Sequence, residues 1–325
     1  MDVSTFTYEL PRRLIAQAPA RPRDSSRLMV VDEGVSHLVF REIAGILRPG
    51  DVLVLNDTKV VPARLHGRKD TGGHLEFLFV RERHGLWEAM VRGRVRVGVT
   101  GEVADRHFEI ADRRGDLWLV RTEPPLDREA FATWGETPVP PYIRRRTRRD
   151  EYQTVYARVP GSVAAPTAGM HFTRELIGRL ERGGVAIRGV TLHIGPGTFL
   201  PVRTERVEDH EMAPEAYEID GATMDAIEGA DRLVCVGTST VRALESAYRT
   251  GSLTGMADVF IYPGYRFRAP MDMFLTNLHL PCSTPLLMVA AFAGWERVRR
   301  AYEIAVRERY RFYSFGDAML LTPRD

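Results

Sequence analysis

The sequence predicts an α/β fold interrupted by a small β-rich segment, and three observations predict it. From residue 152 onward, apolar runs of strand length alternate with stretches of helical period, the pattern of a largely parallel sheet covered by helices. Between residues 64 and 150 the texture changes to short apolar–polar alternations separated by Gly, Asp and Arg turns, which read as a small antiparallel sheet or barrel. Charge divides in the same way. Residues 64–150 hold 18 basic and 14 acidic side chains (net +4), whereas the remainder holds 27 and 29 (net −2). The expected organisation is a discontinuous α/β domain, 1–63 with 151–325, and an inserted β-rich domain, 64–150.

In chain order, residues 51–56 read as a buried strand. Runs 74–80, 86–92, 107–111 and 116–122 supply the strands of the insertion, and a helix follows over 126–134. Next come the stiff Pro138-Val139-Pro140-Pro141 and an arginine run, Arg144, Arg145, Arg146, Arg148 and Arg149. Thr173 is the expected N-cap of a helix over 173–182, with Glu175 in its first turn and Gly183-Gly184 closing it. A strand over 185–194, a strand over 232–236 and a helix over 239–249 continue the alternation. Thr284-Pro285 opens a helix with a cap and an N1 proline, and a last helix runs from about 295 to 310.

Composition narrows the class. Hydrophobic residues are 44% and charged residues 27%, ordinary for a soluble globular chain. The longest apolar run, Leu286 to Ala293, is far too short to span a bilayer, and no basic-then-apolar leader opens the chain. Cys235 and Cys282 offer neither a disulfide framework nor zinc-type spacing. The expectation is a cytoplasmic protein with no metal and no membrane contact. All basic residues but Lys59 and Lys69 are arginine, which suits bidentate phosphate and carboxylate contacts; a GC-rich genome produces the same bias.

The most informative stretch ends at residue 173. Gly161, Ser162, Pro166, Thr167 and Gly169 lead to His171 just before a helix N-terminus, where backbone can approach a ligand and anionic groups are favoured. A tight turn with a core histidine explains the same residues. Long motifs extend the signal: Arg23-Asp24-Ser25-Ser26-Arg27-Leu28, Gly50-Asp51-Val52-Leu53-Val54-Leu55-Asn56-Asp57-Thr58-Lys59, Leu192-His193-Ile194-Gly195-Pro196-Gly197-Thr198-Phe199, Thr276-Asn277-Leu278-His279-Leu280-Pro281 and Tyr310-Arg311-Phe312-Tyr313-Ser314-Phe315-Gly316-Asp317. Together, in this order, they resemble the S-adenosylmethionine:tRNA ribosyltransferase-isomerases of queuosine biosynthesis, nearly end to end.

That resemblance implies a barrel-like α/β catalytic domain interrupted by a small β-domain. The implied reaction moves the ribosyl group of S-adenosylmethionine onto the aminomethyl group of a 7-deazaguanine at the tRNA wobble position. Adenine and methionine leave, and a cyclopentane epoxide remains. Such chemistry needs a base for the C–H beside the sulfonium, a proton donor for adenine and a clamp for the methionine carboxylate. His171, His193 and His279 are the proton-transfer candidates, with Asp57 facing the sulfonium or a ribose hydroxyl; each is equally readable as structural. Gly237, Thr238, Ser239 and Arg242, with Gly195, Gly197, Thr198, Thr167 and Gly169, are the candidates for holding S-adenosylmethionine. An ordinary capped helix and simple glycine turns remain open for them. Arg144, Arg145, Arg146, Arg148 and Arg149 are either phosphate contacts or a solvated linker, and Asn277 carries the donor and acceptor needed to read a base edge.

Departures from the family pattern cluster near this site. His210-Glu211-Met212-Ala213-Pro214-Glu215 has alanine where relatives carry a histidine, and Gly237-Thr238-Ser239-Thr240, Leu278 and Pro285 also differ. They motivate an alternative, a catalytically weakened tRNA-binding paralogue. A methyltransferase is disfavoured because no strand is followed by Gly-x-Gly-x-x-Gly. A monomer is expected.

Overall fold

Asp51–Asn56 is buried along its whole length, and its apolar residues divide by parity: Val52 and Val54 enter one core, Leu53 and Leu55 the other. A strand apolar on both faces belongs in the middle of a covered sheet. The computed structural model describes every residue except Arg146, Leu200, Pro201, Arg203 and Asp325, with backbone alone at Thr198 and Phe199.

The sheet has nine strands in the order Thr254–Ala257, Glu215–Ile219, Ala186–Leu192, Asp51–Asn56, Arg232–Val236, Met271–Asn277, Ala318–Leu321, Arg27–Val31 and Val35–Val39. Its centre is parallel: Ala186 lies opposite Val52, Arg232 opposite Asp51 and Leu233 opposite Met271. Antiparallel pairs extend it on both sides. Helices Thr238–Thr250, Thr284–Ala293 and Trp295–Arg307 cover the larger core, and Arg174–Arg182 covers the other.

The six strands Arg64–Lys69, His74–Arg83, Leu86–Arg92, Thr100–Val103, Arg106–Arg114 and Leu117–Glu123 close into a barrel. Leu65, Leu75, Phe77, Phe79, Phe108, Ile110 and Val120 fill it, and helix Arg128–Trp134 plugs it with Ala130 and Phe131. Closure requires close backbone approach at Gly101, where a Cβ would lie 2.2 Å from the Arg68 carbonyl oxygen.

The expected elements are present, but strands Arg27–Val31, Val35–Val39, Glu215–Ile219, Thr254–Ala257, Met271–Asn277 and Ala318–Leu321 and helix Gly221–Glu228 have no counterpart in the sequence expectation, and differences appear at three further places. The barrel-like form expected of the α/β part is an open sheet, because its two outermost strands, Thr254–Ala257 and Val35–Val39, stand at opposite ends of the order. Strands Arg64–Lys69 and Thr100–Val103 escape sequence reading because Gly67 and Gly101 blank out the alternation. The cap of helix Thr284–Ala293 is Ser283, whose hydroxyl accepts from the Leu286 amide, one residue ahead of the expected Thr284. Thr173 does cap its helix, accepting from the Leu176 amide. Among the described residues no helix is long and apolar enough to cross a membrane.

Asn56 ends the central strand with a saturated side chain. Its Oδ1 accepts from the Thr58 and Leu192 amides, each at 3.1 Å, and its Nδ2 donates to the Leu192 carbonyl at 3.0 Å and the Ser239 hydroxyl at 2.9 Å. Asn56→Leu strips several buried groups of their partners at once. It should lower the unfolding free energy by about 3 kcal/mol in urea titration, well beyond an average substitution.

Candidate active site

A cavity of about 340 Å³ opens above the carboxyl ends of strands Arg232–Val236 and Met271–Asn277, the end at which ligands collect in parallel sheets. The turn after the first of these strands places Gly237, Thr238 and Ser239 in its wall. Gly237 is glycine for a conformational reason, φ +85°. Its own N–H is spent on the Leu275 carbonyl at 2.8 Å, so it is not available to a ligand. Helix Thr238–Thr250 begins without a side-chain cap, leaving its first-turn donors facing the cavity end of the helix.

One turn further in, Arg242 and Glu215 form a buried ion pair in the cavity wall. Glu215 also accepts from the Gly195 amide at 2.7 Å, while Arg242 donates to the Ala257 carbonyl at 2.6 Å and the Ala213 carbonyl at 3.3 Å. The Arg242 Nε is buried with no partner among the described residues. Burial raises Glu215 above the usual carboxylate range, against the opposing pull of Arg242. Glu245, three residues on in the same helix, does not pair with Arg242. Glu245 instead accepts from the Tyr265 hydroxyl and the Arg268 and Ala269 amides.

Aromatic and amide groups complete the wall. Tyr142 and Tyr313 meet edge to face at 4.0 Å, and the Tyr142 hydroxyl bonds the Ser314 hydroxyl. Asn277 donates to the Tyr313 carbonyl at 2.8 Å, and its Oδ1 is buried with no hydrogen-bond partner among the described residues. His279 lines the cavity with Nε2 on the Thr276 hydroxyl at 2.8 Å, and burial pushes its imidazole down to about 3.

The structure sorts the sequence candidates. Thr167, Gly237, Thr238, Ser239, Arg242, Asn277 and His279 line the cavity; His171, His193, Asp57, Gly169, Gly195 and Gly197 do not. His171 stacks on Phe40 at 4.9 Å, shares a 2.7 Å hydrogen bond with Ser26, and is pushed down to about 4 by burial. His193 is half-buried, bonded to Thr58 at 2.8 Å and packed over Gly161. Asp57 is occupied by Arg158, at 2.8 and 3.0 Å, and by Thr191 at 2.6 Å. Gly169 is needed because the Tyr156 hydroxyl would sit 1.7 Å from a Cβ there. The Thr198 side chain and all of Arg146 lie outside the described residues.

The arginine run is partly spoken for. Arg145 reaches Glu151 at 2.9 Å and the Gln17 carbonyl at 2.7 Å, Arg148 pairs with Asp150, and Arg149 bonds the Ala132 and Gly135 carbonyls. Arg144 is exposed. Glu215 was named in the sequence only as a neighbour of Ala213; its place beside Arg242 depends on a strand pairing with no local signature. Ala213 is exposed, and its Cβ would be 3.7 Å from one added at Gly197.

Comparison with known proteins gives a consistent result. The family described as queuosine biosynthesis protein matches residues 3–321. A Rubrobacter xylanophilus protein named S-adenosylmethionine:tRNA ribosyltransferase-isomerase is 53% identical over 331 residues, 99% of this chain and 98% of its own. One of the same name from Geobacter sulfurreducens is 46% identical over 346 residues, 99% of this chain and all of its own. The crystal structure of S-adenosylmethionine tRNA ribosyltransferase from Thermotoga maritima aligns over 98% of this chain and 100% of its own, with a TM-score of 0.58 and 37% identity.

The buried histidines set an acid limit on stability. His171 falls from the ordinary value near 6.5 to about 4, so the unfolded chain takes up its proton first. The stability this group contributes is present above about pH 6.5 and is lost as pH falls toward 4. His171→Gln should flatten the parent's decline between about pH 6.5 and 4.5, measured as urea midpoints; an unchanged slope would mean the imidazole titrates normally in the folded chain.

Proposed function

We propose a function from one premise: the chain belongs to the queuosine biosynthesis protein family. It transfers and isomerises the ribosyl group of S-adenosylmethionine onto 7-aminomethyl-7-deazaguanine at the tRNA wobble position, giving epoxyqueuosine-tRNA, adenine and methionine. The observation that carries this reading is the end-to-end similarity to relatives named for that activity. In this reading residues 1–63 and 151–325 are the catalytic domain, and 64–150 an inserted domain that assists tRNA binding. The protein works in the cytoplasm as a monomer, without a metal.

The cavity is the site of S-adenosylmethionine. Uncapped donors at Thr238 and Ser239, with the Arg242 guanidinium one turn behind them, suit the methionine carboxylate. Tyr142, Tyr313 and Phe260 offer aromatic surface to the sulfonium. Asn277, its amide fixed by Tyr313, suits the edge of a base. Among the described residues, Glu215 is the one carboxylate and His279 the one imidazole in the cavity wall, so the C–H proton beside the sulfonium falls to one of them. Burial makes Glu215 more basic and His279 less so. That contrast in basicity favours Glu215 over His279 for taking the proton.

Incubation with S-adenosylmethionine and tRNA bearing the aminomethyl-deazaguanine should release adenine and methionine together, with epoxide appearing on the tRNA. S-adenosylhomocysteine with methylated RNA would overturn the function. Glu215→Gln keeps the size but only one of the two acceptor oxygens, and should lower turnover by about 100-fold or more. His171→Gln should cost far less; the reverse ranking would return the proton transfer to His171.

A further inference from the structure

Trp134 is the most exposed large apolar side chain among the described residues, 55% accessible, and it has no part in the cavity. It closes helix Arg128–Trp134, in which Ala130 and Phe131 are buried, Ala132 is exposed, and Phe131 packs edge to face on Trp87 at 5.1 Å and on Phe79 at 5.7 Å. The barrel core therefore takes one aromatic of this helix and leaves the other in solvent.

The ring stands on rigid backbone. At Gly135 a Cβ would lie 1.9 Å from the Pro62 carbonyl oxygen, and Glu136 exchanges both backbone hydrogen bonds with Arg64, at 2.8 and 3.2 Å. Arg149 caps this helix end, donating to the Ala132 and Gly135 carbonyls at 3.0 and 2.8 Å. A guanidinium is thus fixed beside the last turn, within a segment whose Arg144 and Arg148 are exposed. An indole held in the open next to fixed arginine suits single-stranded nucleic acid, with the bases stacking and the phosphates meeting the cations. A protein partner would want neighbouring apolar surface. The other exposed large apolar residues, Met1, Val39, Val97, Leu253 and Met256, belong to other elements.

The ring also stands at a useful distance. Residues 135–141 join it to Tyr142 in the cavity wall, eight steps that span at most about 28 Å. Arg64 Nη2 pins this connection at the Val139 carbonyl, 3.0 Å away.

We propose that Trp134 is a stacking platform for an unpaired base of the RNA substrate, one that flanks the reacting nucleotide in a hairpin loop. The proposal rests on the tRNA reading above and adds to it a recognition residue outside the cavity. The test uses the full chain, an anticodon stem-loop RNA and a blunt duplex of equal length, with binding followed by fluorescence anisotropy over a salt series. Trp134→Ala should weaken stem-loop binding by about 5- to 150-fold, with duplex binding and the salt slope unchanged. Trp134→Phe should retain most of the affinity. Stem-loop RNA should quench indole emission in the parent, and the quenched component should be missing in Trp134→Phe, a readout that does not depend on how the alanine variant folds. Equal stem-loop affinity in parent and Trp134→Ala, with quenching intact in Trp134→Phe, overturns the proposal and leaves the tRNA reading standing. A parent that fails to bind the stem-loop at low salt overturns both.

Discussion

The buried amide of Asn56 is the constraint on which the site depends. A carboxamide offers two donors and an acceptor oxygen with two lone pairs, and in this fold all four positions are used. Two bonds tie the end of the central strand to Leu192 on the neighbouring strand, one turns the chain at Thr58, and one reaches Ser239 at the start of helix Thr238–Thr250. Two strand ends and a helix N-terminus are thereby fixed together at the rim of the cavity. Asp57, next along the chain, is held by Arg158 and Thr191 outside the cavity wall.

Burial governs the electrostatics of what this framework encloses. Leaving water costs a charged group more than a neutral one, so the same environment raises Glu215 and lowers His171, His193 and His279. The carboxylate is kept near its protein partners by Arg242 and the Gly195 amide, while the imidazoles stay neutral and serve as hydrogen-bonding posts. The cavity wall itself holds one carboxylate, Glu215, raised by burial, and one imidazole, His279, lowered by it.

Reading the chain locally succeeded where the signal was local. Thr173 and the glycines after residue 182 bound a helix because capping is decided within a few residues. The strand at 232–236 and the helix that follows were legible from period alone. Strands carrying glycine at close approaches were not, since the missing side chain that permits the contact also erases the alternation. His171 is a sequence candidate because glycines, a histidine and a helix start are adjacent in the chain. Its neighbours in space are Phe40 and Ser26, more than a hundred residues away, and they make it a core residue.

The sequence by itself determined the family, the β-rich character of residues 64–150, the central strand with its two parallel neighbours, five of the helices, and seven candidates that line the cavity. These follow from periodicity, capping and motif order, all short-range properties of the chain. Only the tertiary structure decided that the large sheet stays open, that Arg242 pairs with Glu215 rather than Glu245, and which titratable groups face the cavity. Those outcomes turn on strand order and on which side chains lose contact with water. Both depend on contacts between residues remote in the chain, for which no local pattern exists.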